Sequence, residues 1–193
     1  MKGAGYPLSI LWGDRQRYGW FGWEKGGVRN LFTLSSRQLG PPSAAERRLR
    51  LEAFAPSKGL CRRLRTLDLA HPYGVERPLR DLPPLFHRVG RQTWVCREGK
   101  RFAYLALQRE GRQRRGQYEV LDEAGGDGEL ACSMLRLLFA RSGLSRLQAS
   151  AGPNPAQIDI LLPGSSHWTR ECSCMTKILD LGVLLENLQP CLC

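Results

Sequence analysis

Apolar and polar positions along this 193-residue chain fall into short blocks whose period changes repeatedly. The first block, Leu8-Ser9-Ile10-Leu11-Trp12, is halted by Gly13-Asp14. An apolar run that short, bounded by turn residues, predicts a buried strand over 6–12. Asp14 can cap a short helix through Tyr18, because its carboxylate accepts backbone N–H groups. A glycine-punctuated aromatic cluster follows, Trp20-Phe21-Gly22-Trp23, and Val28 to Leu34 predicts a second strand. Gly40-Pro41-Pro42-Ser43 then interrupts, since two prolines after a glycine neither continue a helix nor sit in a central strand. These residues predict a linker over 40–46.

Beyond the linker, Arg48 to Ala53 alternates basic and apolar, as a half-exposed strand does. Leu60, Leu64 and Leu67 form a helical stripe that His71-Pro72-Tyr73-Gly74 stops. Leu79, Leu82, Leu85 and Phe86 mark a second short helix entered through prolines. Residues 92–107 read as a hairpin turning at Gly99, whose second arm, Phe102 to Leu107, is apolar on both sides. That arm is predicted to be central and covered on both faces. A basic loop at 109–116, a strand at 118–121 and the glycine-rich run 122–128 come next. The longest helical stripe follows, through Leu130, Met134, Leu137 and Leu138, with Gly143 as its left-handed cap. Residues 145–149 predict a short strand and 158–162 a short helix, whereas 163–174 carry no readable period. Leu181, Leu184, Leu185 and Leu188 form a last helical stripe.

Composition narrows the class. An apolar fraction of 42% and a charged fraction of 24% suit a globular protein. No window approaches the apolar length of a membrane-crossing helix, and the first apolar run is too short for a secretory signal. A cytoplasmic protein with reduced thiols and no membrane partner is therefore expected for the seven cysteines. Cys172-Ser173-Cys174 and Cys191-Leu192-Cys193 each have a single intervening residue, which argues against a zinc site, so no metal is expected. The net charge of +11, carried mostly by arginine, attracts phosphates. Its densest clusters, at 47–50, 62–65 and 109–115, lack the interleaved aromatics of a single-strand binder, so nucleic acid is not the expected partner. His71, His87 and His167 have no paired nucleophile in the sequence.

From residue 47 the elements run strand, helix, helix, strand–turn–strand, strand, helix, strand, with glycines ahead of the long helix. That series resembles the GNAT family of N-acetyltransferases. The resemblance implies an α/β (α+β) fold, with a mixed, mostly antiparallel central sheet flanked by helices. It also implies acetyl-CoA as cofactor, seated in a splay between two strands with its pyrophosphate at the helix start. Unpaired amides at a helix start, within a glycine turn, do bind phosphate. Gly125, Gly126 and Gly128 become the candidate cofactor-binding residues. The opening stretch, Gly13-Asp14, Tyr18 and Phe21-Gly22-Trp23, resembles the end of a GNAT domain, where a tyrosine protonates the departing thiolate. Tyr18 is thus the candidate catalytic acid. Met175 to Leu181 resembles the entry into a sterol-carrier-like domain. The whole is similar to tandem acetyltransferases of the "enhanced intracellular survival" type. It implies a first-domain tail over 1–39, a linker over 40–46, a second GNAT-like domain over 47–170 and the start of a C-terminal segment over 171–193. The implied chemistry is direct attack of an amine on acetyl-CoA, with the acceptor unidentified and a homo-oligomer left open.

The chain departs from the family at the phosphate turn. An active turn reads Gln/Arg-x-x-Gly-x-Gly/Ala, and here the register is Glu123-Ala124-Gly125-Gly126-Asp127-Gly128. A carboxylate about 4 Å from a phosphate costs roughly 4 kcal/mol at an effective dielectric of about 20. In tandem members the second domain commonly lacks coenzyme A and serves as scaffold. Weak or absent catalysis is the expectation, with a non-catalytic scaffold or oligomerisation domain as the alternative and a basic nucleic-acid binder behind it.

Overall fold

The computed structural model describes residues 5–13, 15–70, 77–87, 89–108 and 120–192. Asp14, His71 to Gly74, the basic loop from Arg109 and Tyr118 lie outside the described residues. In chain order the elements run β1 (Leu8–Leu11), α1 (Arg15–Gly19), β2 (Glu24–Gly26), β3 (Arg29–Ser35), α2 (Ser36–Leu39), β4 (Glu52–Ala53) and α3 (Lys58–Leu69). They continue with α4 (Leu82–Phe86), β5 (Arg91–Glu98), β6 (Arg101–Gln108), β7 (Val120–Gly126), α5 (Gly128–Ser142) and β8 (Arg146–Ala151). The last are α6 (Pro155–Leu161), β9 (Ser165–Glu171), β10 (Cys174–Ile178) and α7 (Leu181–Leu192).

The larger of two compact units, residues 30–169, is built on a seven-stranded sheet in the order β4-β5-β6-β7-β8-β3-β9. β4, β5, β6 and β7 pair antiparallel in series, β8 pairs antiparallel with β3, and β7 pairs parallel with β8. This is the mixed, mostly antiparallel sheet with flanking helices that the resemblance implies. β6 is central, as its apolar faces predict. Ala103, Leu105 and Leu107 join α5 in one core cluster, while Phe102, Tyr104 and Ala106 join α3 and α4 in the other. α5 forms because Asp127 caps its start, Leu130, Met134, Leu135 and Leu138 supply its inner stripe, and Gly143 ends it at φ +64°. Each such leucine, fully buried, contributes about 1.5–3 kcal/mol.

The proline pair does not divide the chain. The units part at Arg29/Asn30 and Thr169/Arg170. β3 pairs with β8 from Asn30↔Ala151 to Ser35↔Arg146, burying Phe32 and Leu34, so residues 30–39 belong to the larger sheet. The proline segment is itself docked. Ser43 and Glu46 form a capping box: the Ser43 amide donates to Glu46 Oε2 at 2.6 Å and the Glu46 amide donates to Ser43 Oγ at 3.1 Å. Glu46 Oε1 then accepts from Ser133 Oγ at 2.8 Å and Arg136 Nη1 at 2.5 Å, both on α5. The turn at Glu46–Arg48 is 3-10 helical, which shortens the strand predicted over 48–53 to β4.

In the smaller unit, residues 1–29 with 170–193, β10 lies between β1 and β2, antiparallel to both. Residues 163–174, unreadable in sequence, supply β9 and the approach to β10. Six of the seven β9 residues are exposed, and a strand without a buried face leaves no alternation to read. Trp12 and Trp20 are exposed at 77% and 91%, so neither is core. Trp23 is half-buried, with Lys177 Nζ 4.8 Å from its ring centroid.

Burial opposes charging Glu46, but hydrogen bonds from the Ser43 amide, Ser133 and Arg136 outweigh it and hold the carboxyl at about 2, against an ordinary 4.5. A carboxyl held low contributes its full stabilisation above its ordinary value and loses it as pH falls from 4.5 towards 2. Urea unfolding across that window should show a pH slope that Glu46→Gln lacks. At neutral pH the same variant should be less stable by about 1–3 kcal/mol. A Glu46→Gln protein with unchanged stability and slope would remove this anchor from the account.

Candidate functional site

β7 and β8 pair through Val120↔Gln148 and Leu121↔Ala149 and then part. β7 stays on β6 as far as Gly126, opposite Ala103, while β8 stays on β3 as far as Ala151, opposite Asn30. The parting begins at a bulge. Glu123 faces Ala106 and Leu121 faces Leu107, which leaves Asp122 as the extra residue. One extra residue bends a strand and increases its local twist. The splay implied by the resemblance is therefore present, between these two strands.

The three candidate glycines gather at the end of β7, but not as an open turn. Gly125 lies flat on Tyr104, where a Cβ would sit 2.8 Å from the ring. Gly126 has φ +95°, and a Cβ there would meet the Phe102 carbonyl oxygen at 2.2 Å. The next amide, Asp127, donates to that same oxygen at 2.8 Å. Both glycines thus serve the close approach of β7 to β6. The glycine-rich run predicted as a turn is strand as far as Gly126, and Asp127 alone connects it to α5. Gly128 opens the helix, with Ile160 Cγ1 3.8 Å from its Cβ position.

At the helix start the chain supplies its own anion. Asp127 Oδ1 accepts from the Leu130 amide at 2.9 Å and from Arg101 Nη2 at 2.7 Å. Arg101 also binds Glu129 at 3.1 Å and Glu98 at 3.1 Å. The Arg101 bond first, then the Leu130 amide, hold the Asp127 carboxyl below the usual carboxylate range. On the other side α6, capped by Asn154, packs against α5, β7 and β8. Ile160 and Leu161 are buried in the α5-side core, and Gln157 Nε2 donates to the Ser150 carbonyl at 3.4 Å, on the freed stretch of β8. The residues present do not fit a diphosphate: the Leu130 amide already has an acidic partner, and the Asp127 and Glu129 carboxylates both stand at the helix start.

A buried polar cluster that the sequence reading misses stands at the bulge. The Arg91 side chain, 4% exposed, pairs with Glu123 at 3.2 Å and approaches Asp122 at 4.0 Å. It also donates to the Leu85 carbonyl at 3.2 Å and lies 5.5 Å from the Phe86 ring centroid. Tyr104 donates to Glu123 Oε1 at 2.8 Å. Burial first, then the charge of Glu123, pushes the Tyr104 phenol well above its usual value, which keeps it a donor. Both Glu123 oxygens are therefore engaged. One sequence signal was available: a tyrosine inside an apolar central strand needs a polar partner. Burial also pushes up the Cys96 and Cys132 thiols, which keeps them protonated. Tyr18 belongs to the smaller unit, where its ring occupies the space beside Gly13: a Cβ there would lie 2.5 Å from Tyr18 Cε2.

No protein-family model matches the chain, and no curated protein matches it. Solved structures do. A conserved protein of unknown function from Enterococcus faecalis V583, described as a probable N-acyltransferase, aligns with a TM-score of 0.62 at 15% identity, over 93% of this chain and 47% of its own. A GCN5-related N-acetyltransferase from Kribbella flavida aligns with a TM-score of 0.59 at 18% identity, over 95% of this chain and 46% of its own. Another, from Anabaena variabilis ATCC 29413, gives 0.58 at 15% identity, over 93% and 48%. The fold is that of the GCN5-related N-acetyltransferases, and the chain spans about half the length of these neighbours. Among the described residues, no helix is long and apolar enough to cross a membrane.

Two substitutions separate the roles of the glycines. Gly126→Ala should destabilise by about 3 kcal/mol or more, since it combines a positive φ with a clash against backbone. Gly128→Ala should be close to neutral, its Cβ at ordinary contact distance from Ile160. Asp127→Ala should cost about 0.5–2 kcal/mol through the lost cap. Chemical denaturation of the three variants checks the order, and a Gly126→Ala protein as stable as the parent would contradict the strand role.

Proposed function

We propose that this chain is a non-catalytic module of the N-acetyltransferase fold, a scaffold for an acetyltransferase body rather than a site of acetyl transfer. The carrying observation is the Asp127 carboxylate on the Leu130 amide, locked by Arg101. A helix start attracts phosphate through its unpaired amides and the positive end of its dipole. Here the chain's own anion already has that place. A phosphate brought within about 4 Å of Asp127 would meet a repulsion of roughly 4 kcal/mol at an effective dielectric of about 20, a loss near a thousandfold in affinity. Arg101, the nearest compensating charge, is shared among Asp127, Glu129 and Glu98.

The reaction side points the same way. A base that deprotonates an attacking amine needs a free carboxylate oxygen. Glu123, beside the bulge where the strands part, gives one oxygen to Tyr104 and the other to Arg91. Under this reading Tyr18 is a packing residue beside Gly13. The amine acceptor, acetyl-CoA and any oligomer partner belong to a larger assembly.

Calorimetric titration with acetyl-CoA to millimolar concentration should give no saturable heat, and the cofactor should leave the Tm unchanged. Stoichiometric binding at micromolar affinity, with a matching rise in Tm, would sink the scaffold reading in favour of an enzyme.

A further inference from the structure

A cavity of about 680 Å³ lies beside the C-terminal half of α5, at the opposite end of that helix from Gly128. Its size falls in the range of small-molecule sites, about 300–1,000 Å³. One wall is the docked proline segment, Gly40-Pro41-Pro42, and the other is α5 through Leu137, Phe139 and Ala140. Leu137 is only 2% exposed yet belongs to neither core cluster. Three arginines, Arg47, Arg136 and Arg141, line the same cavity, and among the described residues no acidic side chain does.

The three arginines are not equivalent. Arg136 is spent: it pairs with Glu46 and donates through Nε to the Leu39 carbonyl at 2.9 Å. Among the described residues Arg47 uses only Nε, on the Pro42 carbonyl at 3.2 Å. Among the same residues Arg141 uses only Nη2, on the Leu49 carbonyl at 3.4 Å. Neither makes an ion pair among the described residues. A guanidinium carries five N–H donors, so most of the donors of both side chains remain available. The dipole of α5 accounts for a cation in its last turn, hence for Arg141. It does not account for Arg47, which follows the capping box and faces the same space.

We propose that this cavity binds a small amphipathic anion, with a phosphate or carboxylate head held by Arg47 and Arg141 and an apolar body against Pro42, Leu137 and Ala140. Guanidinium forks match such heads with paired hydrogen bonds. The apolar walls give the body a reason to leave water. Head and body together are required: a bare anion leaves the apolar walls uncovered, and an uncharged chain leaves the arginines unpaired.

NMR titration of the ¹⁵N-labelled chain tests this with four probes: octyl phosphate below its micelle concentration, octanoate, inorganic phosphate and octanol. Octyl phosphate or octanoate should saturate, with shifts confined to amides of residues 36–40, 47 and 136–141; which of the two binds tighter identifies the head. Inorganic phosphate and octanol should each bind at least roughly tenfold more weakly. Arg141→Gln, whose single long bond to Leu49 is dispensable to the fold, should weaken the amphiphile roughly tenfold, and added salt should weaken it further. Arg47→Lys keeps the charge and loses the fork, and should fall between parent and Arg141→Gln. Equal binding by inorganic phosphate, equal binding by octanol, shifts centred elsewhere, or no saturation by either amphiphile would each overturn the proposal.

Discussion

β7 cannot pair with both of its neighbours beyond Leu121. The extra residue at Asp122 lets it stay on β6, and β8 then leaves with β3. A sheet opened in this way exposes backbone groups and a gap, and each must be met by something. The chain meets them from within. Gln157 reaches the Ser150 carbonyl on the freed stretch of β8. Ile160 and Leu161 enter the core beside α5. Gly126 brings β7 against Phe102, so that Asp127 can turn straight into the helix. Arg91, Glu123 and Tyr104 neutralise one another at the bulge itself. The splay characteristic of the fold is kept.

Charge is distributed to the same effect. The chain is strongly basic, at +11, yet the start of α5 is locally acidic. Arg91 and Arg101 are consumed by the carboxylates around the splay. The arginines that keep donors to spare, Arg47 and Arg141, stand at the far end of the same helix. A net charge describes the reach of a protein's field, while a site depends on which charges are already paired. Here the site the fold suggests is compensated, and a cavity that the fold does not suggest is not.

Much of this was legible in the chain. Leu130, Met134 and Leu138 with Gly143 define α5, and the two-faced apolar arm at Phe102 to Leu107 defines the central strand. The acids at positions 123 and 127 warn of an altered phosphate turn. What was not legible depends on contacts far apart in sequence. Gly125 and Gly126 look like turn residues, because nothing local shows that Tyr104 and Phe102 will press against them. Pro41 and Pro42 look like a linker, because their docking rests on Glu46 reaching Ser133 and Arg136 on α5. β3 looks like part of the preceding unit, because its partner β8 lies more than a hundred residues further along. Arg91 carries no local signal, because its partner Glu123 lies 32 residues further along.

The central claim is that the Leu130 amide at the start of α5 is held by Asp127 and is not offered to a ligand. Carbon-detected NMR titration of the Asp127 carboxyl group tests it most directly. The account predicts a midpoint below the ordinary aspartate value of about 3.9, unmoved by millimolar coenzyme A. An ordinary midpoint, or one that shifts when coenzyme A is added, would show the helix start open and contradict the account.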